Sequence, residues 1–353
     1  MKLFVGYQLC HTDAFLERIL ANRNAIAEVY FSWDTMPSGR SVTGLQQDLL
    51  PWEASQRQRE ELSRIAAAGI GLNLLLNANC YGADSLSRSF FQSTGDLVDC
   101  LRSEWNLVSV TTTSPVIGRF IRQNFEGLEV RASVNMEIGT PEGMDYLADS
   151  FDSFYIKREL NRDMAALRKL RQHCDETGKK LHLLANSGCL NHCSARQFHD
   201  NLVAHEQEIA KRDNAFVFQS ACRQYLADPA HRAKILQRSN WIRPEDLRRY
   251  EGIADGIKLA TRISPNPAAI LDAYLQGSYS GNILDLLEPS YAAAFYPTVL
   301  DNRAFPKDYF DIRHNCGGDC DSCGYCEALY PKVTQTLADI YIMEENTTCS
   351  PAK

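Results

Sequence analysis

Eight short apolar or β-branched runs, helix-like stretches between them and a cysteine-dense end predict an α/β chain: a (β/α)8 TIM-type barrel with a Cys-rich C-terminal tail. In order, the runs are "KLFVGYQ", "AEVYFSW", "LNLLLNA", "LVSVTTT", "LEVRASVN", "SFYIK", "LHLLANS" and "DGIKLATR". Parallel strands buried on both faces have this nearly continuous apolar character. Between them, "WEASQRQREELSRIAAAG" reads as a helix stopped at Gly69, and "NRDMAALRKLRQHCDETGKK" as one stopped near Gly178. A doubly wound open sheet is the alternative that alternation alone leaves open, and eight units favour closure over it.

The connection after the seventh strand is long, from about residue 187 to 255, and carries "LLANSGCLNHCSARQFHDNLVAHE", "NAFVFQSACRQYL" and "WIRPEDLRRYEGI". Pro244 in the last of these suits a first helical turn. After the eighth strand, "SPNPAAILDAYLQGSYSGNILDLL" reads as the closing helix and its exit turn. The expected organisation is a barrel over 1–305 with an insertion at 187–255, and a tail over 306–353 docked on it.

With 353 residues, 44% hydrophobic and 23% charged, the chain has the make-up of a globular fold with a sizeable core. A formal net charge of -7 argues against broad binding to a nucleic-acid backbone, which needs a dense Lys/Arg surface. "MKLFVGYQLCHTDAF" is too short in apolar run for an export signal, and no stretch approaches the roughly 20 apolar residues of a membrane span. A cytoplasmic protein is therefore expected, and in that reducing compartment the twelve cysteines point to metal rather than to disulfides.

Their positions sharpen this. Cys10, Cys80, Cys100, Cys174 and Cys349 are scattered, whereas "HNCGGDCDSCGYC" places Cys316, Cys320, Cys323 and Cys326 in one short loop whose glycines let the backbone wrap. An iron–sulfur centre is the expectation there, with zinc as the alternative; Cys316 is the least certain member. Cys189 and Cys193 face one point if a helix starts near Asn191, and Cys222 is the natural third thiol, with a fourth position supplied elsewhere or open to a ligand. The bland alternative is that these thiols are small core hydrophobes.

Loops after barrel strands share the C-terminal face, which collects Gln8, Asp34, Asn77, Asn79, Thr112, Asn135, Lys157, Arg158, Asn186, Lys258 and Arg262. Such a mouth suits a small polyanion or carboxylate: Arg158, Arg262 and Lys258, with Lys157 beside them, hold it, and Asn135 and Asn186 orient it. His199 and His205 are six residues apart, about 120° around a helix, and do not share a metal. His192 and His199 point the same way but lie two turns apart, and "HE" at 205–206 lacks the second histidine of a zinc-peptidase helix. His199 is the histidine assigned to the mouth, as acid, base or donor, against the alternative that the histidines only cap or pack. No dinucleotide fingerprint, phosphate-binding Walker loop or nucleophile elbow is present.

The cysteine pair at the seventh strand, Cys222, "WIRPEDLRRYEGIADGIKLATR", "AYLQGSYSGNILDLL" and the tail "CGGDCDSCGYC" together resemble the collagenase-like peptidase family U-32 over most of the chain. That resemblance implies a barrel carrying one or two [4Fe-4S] clusters, with Cys189, Cys193 and Cys222 in a cluster. It also implies oxygen-independent hydroxylation or a related modification of a small molecule or peptide, with a dicarboxylate co-substrate such as prephenate. A thiol- or metal-dependent peptidase and a non-enzymatic cluster-bearing partner are the rival readings. A homo- or hetero-dimer is left open.

Overall fold

The computed structural model describes residues 2–34, 36–39, 49–206, 209 and 220–337. Eight parallel strands close into a barrel in sequence order: β1 (Lys2–Gly6), β2 (Ile26–Phe31), β3 (Gly71–Leu76), β4 (Leu107–Thr112), β5 (Glu129–Ala132), β6 (Ser153–Tyr155), β7 (Lys180–Leu184) and β8 (Gly256–Leu259). β8 returns to β1, with Phe4 opposite Lys258, so the open-sheet alternative is excluded.

Helices α1 (Ala14–Ala21), α2 (Pro51–Ala67), α3 (Arg88–Glu104), α4 (Pro115–Asn124), α5 (Pro141–Asp145) and α6 (Met164–Thr177) alternate with the strands. Local chemistry sets their ends. Ser114 caps α4 through the Ile117 amide just before Pro115, and Asp163 caps α6 through the Ala166 amide. Gly178 closes α6 in the left-handed conformation.

Strand alternation sorts the core into two parts. Val29, Phe31, Leu72, Leu74, Val110, Val130, Leu183 and Ile257 face the helices. Phe4, Tyr30, Leu75, Val134, Tyr155, Leu184 and Ala260 fill the barrel interior as a separate cluster. Below it lies a polar floor, in which Arg131 pairs with Glu28 and with Glu129 at 2.8 Å while its guanidinium lies 4.6 Å from the Phe4 ring centre. Burial opposes ionisation of Glu129, but His182, Arg131 and Lys180 hold its carboxyl well below the ordinary range.

Between β7 and β8 the insertion carries α7 (Arg196–Ala204), short helices Ala221–Ala227 and Lys234–Arg238, and a 3-10 segment Pro244–Tyr250 that begins at the expected proline. The run 211–219 lies outside the described residues, as do 338–353 with Cys349. The tail packs its helix Tyr325–Val333 against Lys234–Arg238, and pairs Thr334–Thr336 antiparallel with Thr298–Leu300. Among the described residues no helix is long and apolar enough to cross a membrane.

The interior tolerates little added volume at the floor. A Cβ on Gly256 would stand 2.2 Å from the Phe4 ring, itself held between Arg131 and His182. Gly256→Ala is expected to cost about 1–3 kcal/mol of unfolding free energy through overpacking, read by urea denaturation.

Candidate functional site

Because the strands are parallel, all eight C-terminal ends open on one side, and the inward residues of the last layer form the mouth. Lys258 is held there in a carbon-rich cage: its ammonium lies 4.0 Å from the ring centre of Tyr30 and 5.0 Å from that of Tyr155. Burial first, and then the charge of Arg262, push its pKa down to about 7. Arg262 donates to the hydroxyls of Ser32 and Ser38. Ser38 and the Gly39 amide in turn reach the Asn77 side-chain oxygen at 3.3 and 3.2 Å, so this stretch after β2 lies against the mouth.

Short 3-10 turns directly after β5 and β6 present Asn135 and Arg158. Arg158 joins two regions of the site. One Nη donates to Asn135 Oδ1 at 2.7 Å, the other to Cys189 Sγ at 3.8 Å, and its Nε is buried without a partner. The side-chain oxygens of Gln8 and Asn79, at the ends of β1 and β3, are likewise buried without a hydrogen-bond partner. Buried polar atoms normally find partners, so these atoms at the mouth offer hydrogen bonds to a polar ligand; the floor has unpartnered atoms of its own, Arg131 Nη1 and both His182 ring nitrogens.

Cys189, Cys193 and Cys222 lie around Tyr291, a fully buried residue of the segment after β8, near enough for charge on them to act on its hydroxyl. Burial first, and then Cys222, Cys189 and Cys193, push that hydroxyl above the ordinary tyrosine range. The donor set, three thiols with the Arg158 cation on one side, fits a thiolate-ligated group. Among the described residues, no three His, Cys, Asp or Glu side chains are already arranged to hold a metal ion.

The loop that carries two of these thiols differs from expectation. The helix starts at Arg196, not near Asn191, because His192 takes a left-handed conformation (φ 58°) and its amide donates to Glu159 Oε1 at 3.0 Å. His192 and His199 therefore do not share a helix. Arg196, which the sequence did not single out, fastens the loop by donating to Glu137 at 2.6 Å, Glu159 at 3.2 Å and the Leu190 carbonyl at 3.0 Å. Among the described residues Glu137 is the other non-glycine residue at positive φ (56°), and it pairs with both Arg196 and Arg158. Burial opposes it, but the His192 amide and Arg196 hold the Glu159 carboxyl below its ordinary range.

Asn186 is corrected from ligand-binding to structural. It is fully buried, donates to the carbonyls of Ala260 and Leu286 at 2.8 and 2.7 Å, and accepts from the Ala260 amide at 2.7 Å. Both of its N–H donors are used and its oxygen, fully buried, accepts from the Ala260 amide. Lys157 lies on the rim, its methylenes against Gly139, and His199 sits half-buried on α7. Cys316, Cys320, Cys323 and Cys326 line a different cavity, which none of Cys189, Cys193 and Cys222 lines.

These assignments separate by substitution. Asn186→Ala orphans three buried backbone groups and is expected to lower stability by about 1–3 kcal/mol or more in denaturant titration, whereas Asn135→Ala, on the half-buried rim, is expected to stay within about 1 kcal/mol of the parent.

No family model matches the chain. A curated relative, "Uncharacterized protease MJ1657" of Methanocaldococcus jannaschii, is 25% identical over 269 residues, covering 74% of this chain and 77% of the relative. Among solved structures, the U32 peptidase Mk0906 superposes with a TM-score of 0.51 at 14% identity, over 74% of this chain and 92% of that one, a likeness of fold.

Proposed function

On the assignment to the U32 peptidase family that the M. jannaschii relative and the solved U32 fold support, we propose that this protein is an iron–sulfur-dependent enzyme acting on a carboxylate-bearing small molecule or peptide at the barrel mouth. The observation that carries the reading is Arg158, one guanidinium in contact with both Cys189 and the ligand-facing amide of Asn135. Oxygen-independent hydroxylation, with a dicarboxylate such as prephenate as hydroxyl donor, is the reaction proposed.

Cys189, Cys193 and Cys222 would hold the cluster, leaving a position not filled by these three. When bound, the cluster supplies one-electron transfer and Lewis acidity at that position. The chain's own residues do the rest. Arg158 and Arg262 bind carboxylate oxygens by charge-assisted hydrogen bonds, and Asn135 orients the ligand through its free amide. Lys258, poised near neutrality, adds a third cation when protonated, Lys157 guards the rim, and His199 is the proposed proton carrier.

Protein purified without oxygen is expected to be brown and to contain iron and acid-labile sulfide, with less of both in Cys189→Ser. Colourless, metal-free protein from the same preparation would sink the reading. Arg158→Met is expected to weaken dicarboxylate binding by roughly 10–100-fold, about 1.4–2.8 kcal/mol, by calorimetry.

The Lys258 charge gives the pH dependence a definite sign. The ammonium is intact below about pH 7 and lost as the pH rises through it, and an anion beside it favours the charged form. Dicarboxylate affinity is therefore expected to fall between about pH 6 and pH 8.5, with proton uptake on binding near neutrality; Lys258→Met should abolish both effects.

A second reading rests on the printed name of the M. jannaschii relative, a protease. It predicts peptide cleavage that thiol alkylation stops and exposure to oxygen does not.

A further inference from the structure

The tail holds chemistry that the mouth does not use. Cys316, Cys320, Cys323 and Cys326 all line one cavity of about 330 Å³, together with Arg313 and Gln237. Gly318 and Gly324 turn the loop at φ 80° and 63°, and a Cβ at either would meet nothing within 4 Å, so the loop is wound by backbone conformation rather than by packing.

The charges around this cavity do not balance. Arg313 is only 6% exposed; it donates to Cys326 Sγ at 3.4 Å, to Cys316 Sγ at 3.8 Å and to the Gln237 carbonyl at 3.3 Å, and its Nε has no partner. Arg162, 7% exposed, donates to the Leu236 carbonyl at 3.0 Å and the Tyr309 hydroxyl at 3.3 Å and stacks over Trp241. Both approach the backbone of the same helix, at Leu236 and Gln237. Elsewhere acids stand beside such groups: Arg131 has Glu28 and Glu129, Arg243 has Asp246, Arg158 has Glu137 at 3.9 Å, and the half-buried Arg196 has Glu137 and Glu159. Among the described residues, no carboxylate pairs with Arg162 or Arg313. Two like charges held near one another and largely out of water are costly unless an anion faces them, and the groups that Arg313 reaches are thiols.

We propose that Cys316, Cys320, Cys323 and Cys326 form a four-thiolate metal centre whose residual negative charge is neutralised by the buried pair Arg313 and Arg162, with Arg313 donating directly to sulfur. Four thiolates around a dipositive core, whether a [4Fe–4S] cluster or a zinc ion, leave two negative charges, and the two guanidiniums supply two positive ones. Binding draws the thiols from the cavity wall toward its middle, and the glycine turns give the loop that freedom. The centre is separate from the mouth thiols, so its test does not depend on the function proposed above.

Full-length Cys189→Ser/Cys193→Ser protein, prepared without oxygen, isolates the tail. It is expected to retain roughly four iron and four sulfide, or one zinc, per chain, and to lose them when Cys320→Ser/Cys323→Ser is added. Which metal appears decides between the two cores. In that background Arg313→Leu is expected to weaken metal retention against a chelator by roughly 10–100-fold and, for an iron–sulfur core, to lower its midpoint potential, because N–H···S donation favours the reduced form. Arg313→Lys, which restores the charge without the planar fork, should recover part of either change, and it serves as the second variant should the leucine protein not fold by circular dichroism. The proposal is overturned if the isolated-tail protein carries no metal, if the Cys320/Cys323 substitutions leave its metal in place, or if the folded Arg313 variants match the parent in retention and, for an iron–sulfur core, in potential.

Discussion

Closure of a parallel eight-stranded sheet is the constraint on which the remaining structure depends. Once β8 pairs with β1, alternate residues of every strand must fill a space with no outlet to bulk water, and every strand must end on the same side. The first demand is met by layers: a paired polar floor around Arg131, an apolar middle of Phe4, Tyr30, Leu75, Tyr155 and Leu184, and a cationic top of Lys258 and Arg262. The second brings Asn135, Arg158 and Cys189, which leave three different strands, within reach of one another.

The top of the barrel gathers cations. Arg158, Arg262 and Lys258 share it with orphaned oxygens of Gln8 and Asn79, whereas the floor sets Arg131 between two glutamates. Buried charges set against acids hold a fold in register; at the top Arg158 has Glu137 at 3.9 Å on one side, and its unpartnered Nε leaves donor capacity for an incoming anion. The insertion repeats this contrast. Arg196 is spent on Glu137 and Glu159 to fix the cysteine loop, while Arg313 donates to sulfur and Arg162 beside it to the Leu236 carbonyl and the Tyr309 hydroxyl.

The long 187–255 insertion links the two thiol groups. Its first loop supplies Cys189 and Cys193 next to Tyr291, and its helix Lys234–Arg238 supplies the backbone against which Arg162, Arg313 and Cys326 settle. Since α6 begins just after Arg162, the tail cavity is braced by the barrel wall as well as by the insertion.

The eight strands, the stops at Gly69 and Gly178, the proline-led segment at Pro244 and the clustering of cysteines were all legible in the sequence, because each is a local signal: burial periodicity, a left-handed cap, a fixed φ or close spacing. Side-chain duty was not. Asn186 reads as a strand-end amide like Asn135, yet Ala260 and Leu286, far along the chain, take both of its donors and bury its oxygen. The helix expected at Asn191 starts later because Glu159 and Arg196 fix His192 in a conformation no local preference selects. Arg162 and Arg313 meet only because the tail folds back on the insertion. Composition and spacing determined which groups this protein possesses; closure and docking decided which face a partner and which remain unpaired, since hydrogen bonds and charge balance depend on distance in space rather than along the chain.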